Sequence, residues 1–103
     1  MSEPRFDDLI HAPTRLSIVA LLAASEWATF TFVRDSVGLS DSALSKQLTT
    51  LEEAGYVAVH KAFVGNRPRT SVQLTPAGRT AFEQHVAALQ EIVTRAGVSV
   101  LPE

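Results

Sequence analysis

The stretch that decides the fold is SDSALSKQLTTLEEAGYVAVHKAFVGNRPRTSVQLTPAG, residues 40–78. Ser40 suits a helix N-cap, because its oxygen can accept from the free N–H groups of a first turn. The helix it opens, Asp41 to Ala54, runs into Gly55, a residue able to take the left-handed conformation that ends helices. Leu44, Leu48 and Leu51 fall at i, i+4 and i+7 and predict a core-facing stripe. Two strands follow. Tyr56 to Val64 alternates in part, with Val57, Val59 and Phe63 on one side, and Thr70, Val72 and Leu74 do the same on the return. A loop carrying Gly65, Asn66, Arg67, Pro68 and Arg69 is expected between them. Gly65-Asn66 is a tight-turn pair, and Arg67-Pro68-Arg69 predicts a basic, stiff tip. Thr75 then caps a further helix with Pro76 in its first turn.

Upstream, Phe6 to His11 fits one or two helical turns. Pro13 stops it and suits the start of the next helix, which carries Leu16, Val19, Ala20 and Ala23 on one face. Trp27-Ala28-Thr29 reads as a short strand. Thr29 or Thr31 can cap a helix reaching Val37, and Gly38 can terminate it. Only Gly38-Leu39 separates that helix from Ser40. Two short helices joined by so brief a glycine-containing turn are the helix-turn-helix signature. On the second of them, opposite the leucines, lie Ser42, Lys46, Thr49 and Glu53, flanked by Ser45 and Thr50. Exposed helix faces usually carry Glu, Lys, Arg and Gln. Short hydroxyls with one lysine instead suit a helix that sits deep in a groove and bonds phosphates or bases. A solvated face that happens to be rich in Ser and Thr is the other reading of the same residues.

The last helix repeats Phe82, Val86, Leu89 and Val93 at i, i+4, i+7 and i+11. Ala81, Ala88 and Ile92 form a second, shallower strip. One strip can cover the chain's own core, and the other invites a partner helix. The sequence leaves open which is which.

With 103 residues and 46% hydrophobic residues the chain fits one globular domain, 1–103. It divides into N-terminal helices (5–24), a helix-turn-helix (29–55), a β-wing (56–74) and a C-terminal helix (75–96). The run Ile18 to Ala24 is too short to span a bilayer, and nothing argues for export or membrane association. Cysteine is absent, which removes disulfides and thiolate metal sites and is compatible with the cytoplasm. The formal net charge is -2, but its distribution matters more. Residues 1–53 hold four basic and eight acidic side chains, whereas 54–82 hold Lys61, Arg67, Arg69 and Arg79 and no acid. A local positive field of this kind meets a phosphate backbone.

The segments HAPTRLSIVALL (11–22), VGLSDSALSKQLTTLEEAGYV (37–57) and GNRPRTSVQLTPAGR (65–79) resemble the small winged-helix transcriptional regulators of the MarR/ArsR type. The resemblance implies an α+β, mainly α fold with a two- to three-stranded wing and flanking dimerisation helices. It implies a homodimer presenting two recognition helices to a pseudo-palindromic double-stranded DNA operator. The family's groove-facing positions fall on Ser40, Ser42, Ala43, Ser45, Lys46 and Thr49, and its wing arginines on Arg67 and Arg69. The terminal segments that would meet across the two-fold are Phe6, Leu9 and Ile10 with Phe82, Val86, Leu89 and Val93. Two departures stand out. Asp41 would repel a nearby phosphate, and Ala43 offers only a methyl group. The thiolate metal site of some ArsR-type sensors has no counterpart. His11, His60 and His85 are scattered, each expected at the surface or half-buried rather than on a metal.

No nucleophile–base pair, phosphate loop or zinc motif is present, so no enzyme is expected and no cofactor is implied. The alternative to a regulator is a winged helix used as a protein–protein module without DNA binding. Any small-molecule effector would have to sit at the dimer interface, and the sequence does not identify one.

Overall fold

Leu44, Leu48 and Leu51 are buried in the cluster around which the chain is organised. The structure, a computed structural model, describes residues 3–97. Residues 1–2 and 98–103 of the expected domain lie outside the described residues. The elements are α1 (Asp8–His11), α2 (Pro13–Ala23), β1 (Ala28–Thr29), α3 (Phe30–Val37), α4 (Asp41–Glu53), β2 (Val57–Val64), β3 (Arg67–Leu74) and α5 (Pro76–Arg95). The strands make an antiparallel sheet in the order β1-β3-β2. The architecture is therefore a helical body with a three-stranded wing.

Side-chain caps place the helix starts. The Asp7 carboxylate accepts from Leu9 N–H and Ile10 N–H, both at 3.0 Å, so α1 opens at Asp8 rather than at Phe6. Of the two candidate threonines, Thr29 takes the role and accepts from Phe32 N–H at 3.1 Å, and Thr31 lies inside α3. Ser40 Oγ accepts from Ala43 N–H at 3.2 Å, and Thr75 Oγ1 from Gly78 N–H at 3.0 Å. Gly38 closes α3 at φ 71°, in the left-handed region that a side chain would strain.

Ile18, Val19 and Leu22 of α2 meet Val33 of α3, the three leucines of α4, and Val57, Val72 and Leu74 of the sheet. Ile10, His85 and Ala88 are buried apart from that cluster, and α1 and α2 both contact α5. The burial of His85 corrects the expectation of a surface or half-buried imidazole. The residue is 0% exposed and sits in a network that satisfies both ring nitrogens.

The wing also differs from the sequence reading. Its loop is only Gly65-Asn66. Gly65 has φ 64° and Asn66 does not take positive φ, the combination of a type II′ hairpin turn, which lets pairing resume at once. Arg67, Pro68 and Arg69 therefore belong to β3, opposite Val64, Phe63 and Ala62. Pro68 is tolerated because β1 pairs only with Ser71 and Val72, leaving the outer part of β3 as an edge.

Candidate nucleic-acid interface

Exposed and buried residues of α4 separate by face, with Leu48 reaching the groove beside Ser45 and Thr49. Ser42, Ser45, Lys46 and Thr49 are exposed, Ala43 is half-buried, and Leu44, Leu48 and Leu51 point inward. Their hydroxyls are not equally free. Ser40 Oγ caps the helix and lies 3.4 Å from Ser42 Oγ. The Thr49 hydroxyl donates to Ser45 O at 2.9 Å, and Thr50 donates to Lys46 O at 3.2 Å. Thr49 therefore offers acceptor lone pairs and a methyl group outward, whereas Ser42 and Ser45 can still donate.

The acid at the helix start is partly neutralised. Arg34 Nη1 donates to Asp41 Oδ1 at 2.7 Å, and Arg34 Nε to Asp35 Oδ1 at 3.0 Å. Asp41 would otherwise repel a phosphate at this end of the helix. The pair is exposed, so its effect is local and salt-sensitive.

Strand geometry sorts the wing side chains. Successive residues alternate between faces, and Val57, Val72 and Leu74 fix which face looks inward. Lys61, Phe63, Pro68 and Thr70 continue that inner face outward, and Arg67 and Arg69 occupy the other, alongside Ala62, Val64 and His60. Both arginines are exposed. Lys61 and Thr70, which are not among the groove-facing and wing positions that the resemblance implies, line a groove shared with Ser45, Thr49 and Glu52 of α4. The alternation of β2 could have pointed to Lys61, since Val57 and Val59 precede it on the same face. A second cleft brings Arg67 and Arg69 together with Thr31 and Arg34. Arg79 does not belong to this basic surface. Its Nη1 donates to Ala23 O at 3.2 Å, at the C-terminal end of α2, where a cation favours the helix dipole.

The residues expected at a dimer interface lie elsewhere, on α1, the segment before it, and α5. Phe6 is 42% exposed, and Leu9, Phe82, Val86, Leu89 and Val93 are half-buried. Ile10 is enclosed by its own chain. On α5 the buried residues are Gly78 and His85, between the two apolar strips, and Ala88 of the second strip, whereas Ile92 of that strip is 50% exposed. A polar network fastens this region. Asp7 N–H donates to His85 Nδ1 at 2.9 Å, so the neutral His85 ring carries its proton on Nε2, 3.2 Å from His11 Nδ1. Tyr56 Oη donates to Asp7 Oδ2 at 2.5 Å. That bond, with burial, pushes the Tyr56 phenol up to about 12. Burial, then the neighbouring His11, pushes His85 below the usual imidazole range. Phe6 packs against both imidazoles, at 4.7 and 4.8 Å between ring centres.

Residues 14–93 match the model of the family described as winged helix DNA-binding domain. An uncharacterized protein of Methanocaldococcus jannaschii is 29% identical over 84 residues, covering 82% of this chain and 91% of its own. The fold is shared with a transcriptional regulator homologue from Pyrococcus horikoshii OT3. The TM-score is 0.82 at 24% identity, over 87% of this chain and 89% of that one. It is also shared with MepR of S. aureus, solved as a complex with DNA. There the TM-score is 0.72 at 15% identity, over 86% and 73% of the chains. Among the described residues no helix is long and apolar enough to cross a membrane.

Proposed function

The chain belongs to the winged helix DNA-binding domain family, and from that premise we propose that it is a homodimeric, sequence-specific transcriptional regulator acting in the cytoplasm. In this reading α4 enters the major groove of a pseudo-palindromic operator, with Ser42, Ala43, Ser45, Lys46 and Thr49 at the bases and adjoining phosphates. Ser40 holds the helix start. Arg67 and Arg69 ride the backbone or minor groove.

The observation that carries this reading is the pairing of surfaces. The hydroxyl-rich face of α4 and the acid-free wing bound one groove. Short side chains on a helix allow close approach to base edges, and cations beside them meet phosphate.

Two copies would meet through the N-terminal segment and α5, where Phe6 and Ile92 leave apolar surface in water. Sedimentation at micromolar concentration should then show a species near twice the chain mass. A clean monomer removes the two-fold operator from the reading.

The direct test is selection of bound genomic fragments by the purified protein, followed by alanine substitution. Ser45→Ala or Thr49→Ala should narrow the gap between selected and random DNA, by about 1–3 kcal/mol per good base contact. Arg67→Ala should weaken both by similar factors and lower the salt slope by about 1. If Ser42, Ser45, Lys46 and Thr49 can all be replaced without effect, α4 is not the reader.

A second reading is a protein-interaction module. Glu52 and Asp41 lining the same groove favour it, since neither carboxylate welcomes a phosphate. Binding that is insensitive to salt would select it, because phosphate contacts weaken steeply as salt rises.

A further inference from the structure

The outermost part of the wing carries a side chain that folding does not use. Phe63 is 76% exposed and the adjacent Val64 57% exposed. Phe63 stands directly opposite Pro68 in the hairpin register, so the two make one apolar edge. Single exposed apolar residues are common on proteins. This edge differs because of its position and its neighbours. Lys61 and Thr70 come just before it on the same face and line the groove against Ser45 and Thr49. Phe63 lies two residues further out than Lys61, about 7 Å along the strand. A duplex seated on α4 would therefore meet Lys61 and Thr70 first and the Phe63–Pro68 edge next. Arg67 and Arg69 occupy the opposite face of the same hairpin, and residues 54–82 contain no acid. The hairpin is a thin blade with arginines on one flank and an aromatic ring on the other.

We propose that Phe63, backed by Pro68, is an apolar wedge that the wing presses into the DNA minor groove beside the segment read by α4. This rests on the DNA-binding reading above. The cations select a polyanion, and within a polyanionic duplex the apolar surfaces are deoxyribose and the faces of partly unstacked bases. Phe and Pro are among the side chains that minor-groove proteins insert in this way, with cationic neighbours on the phosphates. The wedge adds affinity that does not depend on counterion release, and a preference for sequences that deform easily at that step.

The test uses the full chain and a duplex chosen by the selection described above. Phe63→Ala should bind about tenfold more weakly at every salt concentration, with an unchanged slope of log K against log salt. Arg67→Ala should change that slope by about 1. In a Trp27→Phe background, the indole introduced by Phe63→Trp should become shielded from acrylamide when the duplex is added. Phe63→Ala should leave the thermal midpoint in place, since the ring packs on no core residue. The proposal is overturned if Phe63→Ala binds within about twofold of wild type, or if the indole stays as quenchable as in the free protein. It is overturned equally if Phe63→Ala alters sedimentation and not DNA binding, which would assign the edge to contact between copies. A wild-type chain that binds no duplex removes both this wedge and the regulator reading; a chain that binds DNA and ignores Phe63 removes the wedge alone.

Discussion

Replacing Gly78 by alanine sets two physical arguments against each other. Gly78 sits in the first turn of α5, and helix propensity alone favours alanine over glycine by about 1 kcal/mol. The packing says the reverse. A Cβ there would lie 2.0 Å from the carbonyl oxygen of Tyr56, 2.8 Å from its carbon and 3.0 Å from its Cα, where ordinary contact begins at 3.4 Å. None of these atoms can swing away, because all are backbone. They are also pinned. Tyr56 O accepts from Thr75 N–H at 3.0 Å, Tyr56 N–H donates to Leu51 O at 2.9 Å, and the Thr75 hydroxyl donates to Gly55 O at 2.6 Å. Relief requires α5 to lift by more than an ångström. That costs about 1–3 kcal/mol as overpacking and about 1 kcal/mol for the Thr75–Tyr56 bond, against the propensity gain. The expected net loss is about 1–3 kcal/mol. Urea unfolding at one fixed chain concentration measures it, with Thr80→Ala, exposed two residues on, as a control expected within about 0.5 kcal/mol of wild type. A Gly78→Ala midpoint equal to or above wild type would show that the close approach to Tyr56 is not real.

Leu48 is 4% exposed in the middle of the α4 stripe, and Leu48→Ala should lose about 2–5 kcal/mol in the same melts; a loss under about 0.5 kcal/mol would mean that α4 is rotated from the orientation described. Tyr56→Phe removes a hydrogen bond to a carboxylate and should lose about 1–2 kcal/mol at neutral pH. Because the folded phenol is raised to about 12 from 10.0, its contribution is complete below pH 10 and is lost as pH rises toward 12. The gap between wild type and Tyr56→Phe should therefore close over that range, and a gap that widens refutes the assignment. His85 shifts the other way: its folded state resists protonation, so its contribution is complete above about pH 6.5 and is lost as pH falls below it. Melts of wild type against His85→Leu between pH 7 and 5 should show wild type losing more stability on acidification, and equal losses would mean that the imidazole charges freely in the folded chain.

What the sequence disclosed was local. Ser40 and Thr75 each bond an N–H three residues on, so order suffices to read them, whereas for α3 it leaves Thr29 and Thr31 equal until the helix start is fixed. Leu44, Leu48 and Leu51 announce their face by spacing alone. The features that stayed hidden depend on partners far along the chain. His85 is buried because Asp7, 78 residues away, supplies its hydrogen bond. Arg79 belongs to the basic run 54–82 in sequence, but its bond to Ala23 O, 56 residues away, holds it at the end of α2 and away from the wing. Arg67 and Arg69 looked like loop residues because the II′ geometry at Gly65 is a backbone property, and Asn66 would fit a longer turn equally well. Lys61 belongs to the candidate site because the strand face it shares with Thr70 is folded against α4, a long-range contact that spacing does not encode.

The separation of α4 into a buried leucine face and an exposed polar face has an evolutionary consequence. Leu44, Leu48 and Leu51 are buried and hold the body together, and Ser42, Ser45, Lys46 and Thr49 are exposed. Exposed positions of this sort usually accept substitution within about 0.5 kcal/mol. A gene duplicate could therefore drift at these four codons while its product stays folded, and acquire a new target without an unstable ancestor in between. Divergence after duplication would be limited by what the new sites reward, and not by whether the chain survives the change.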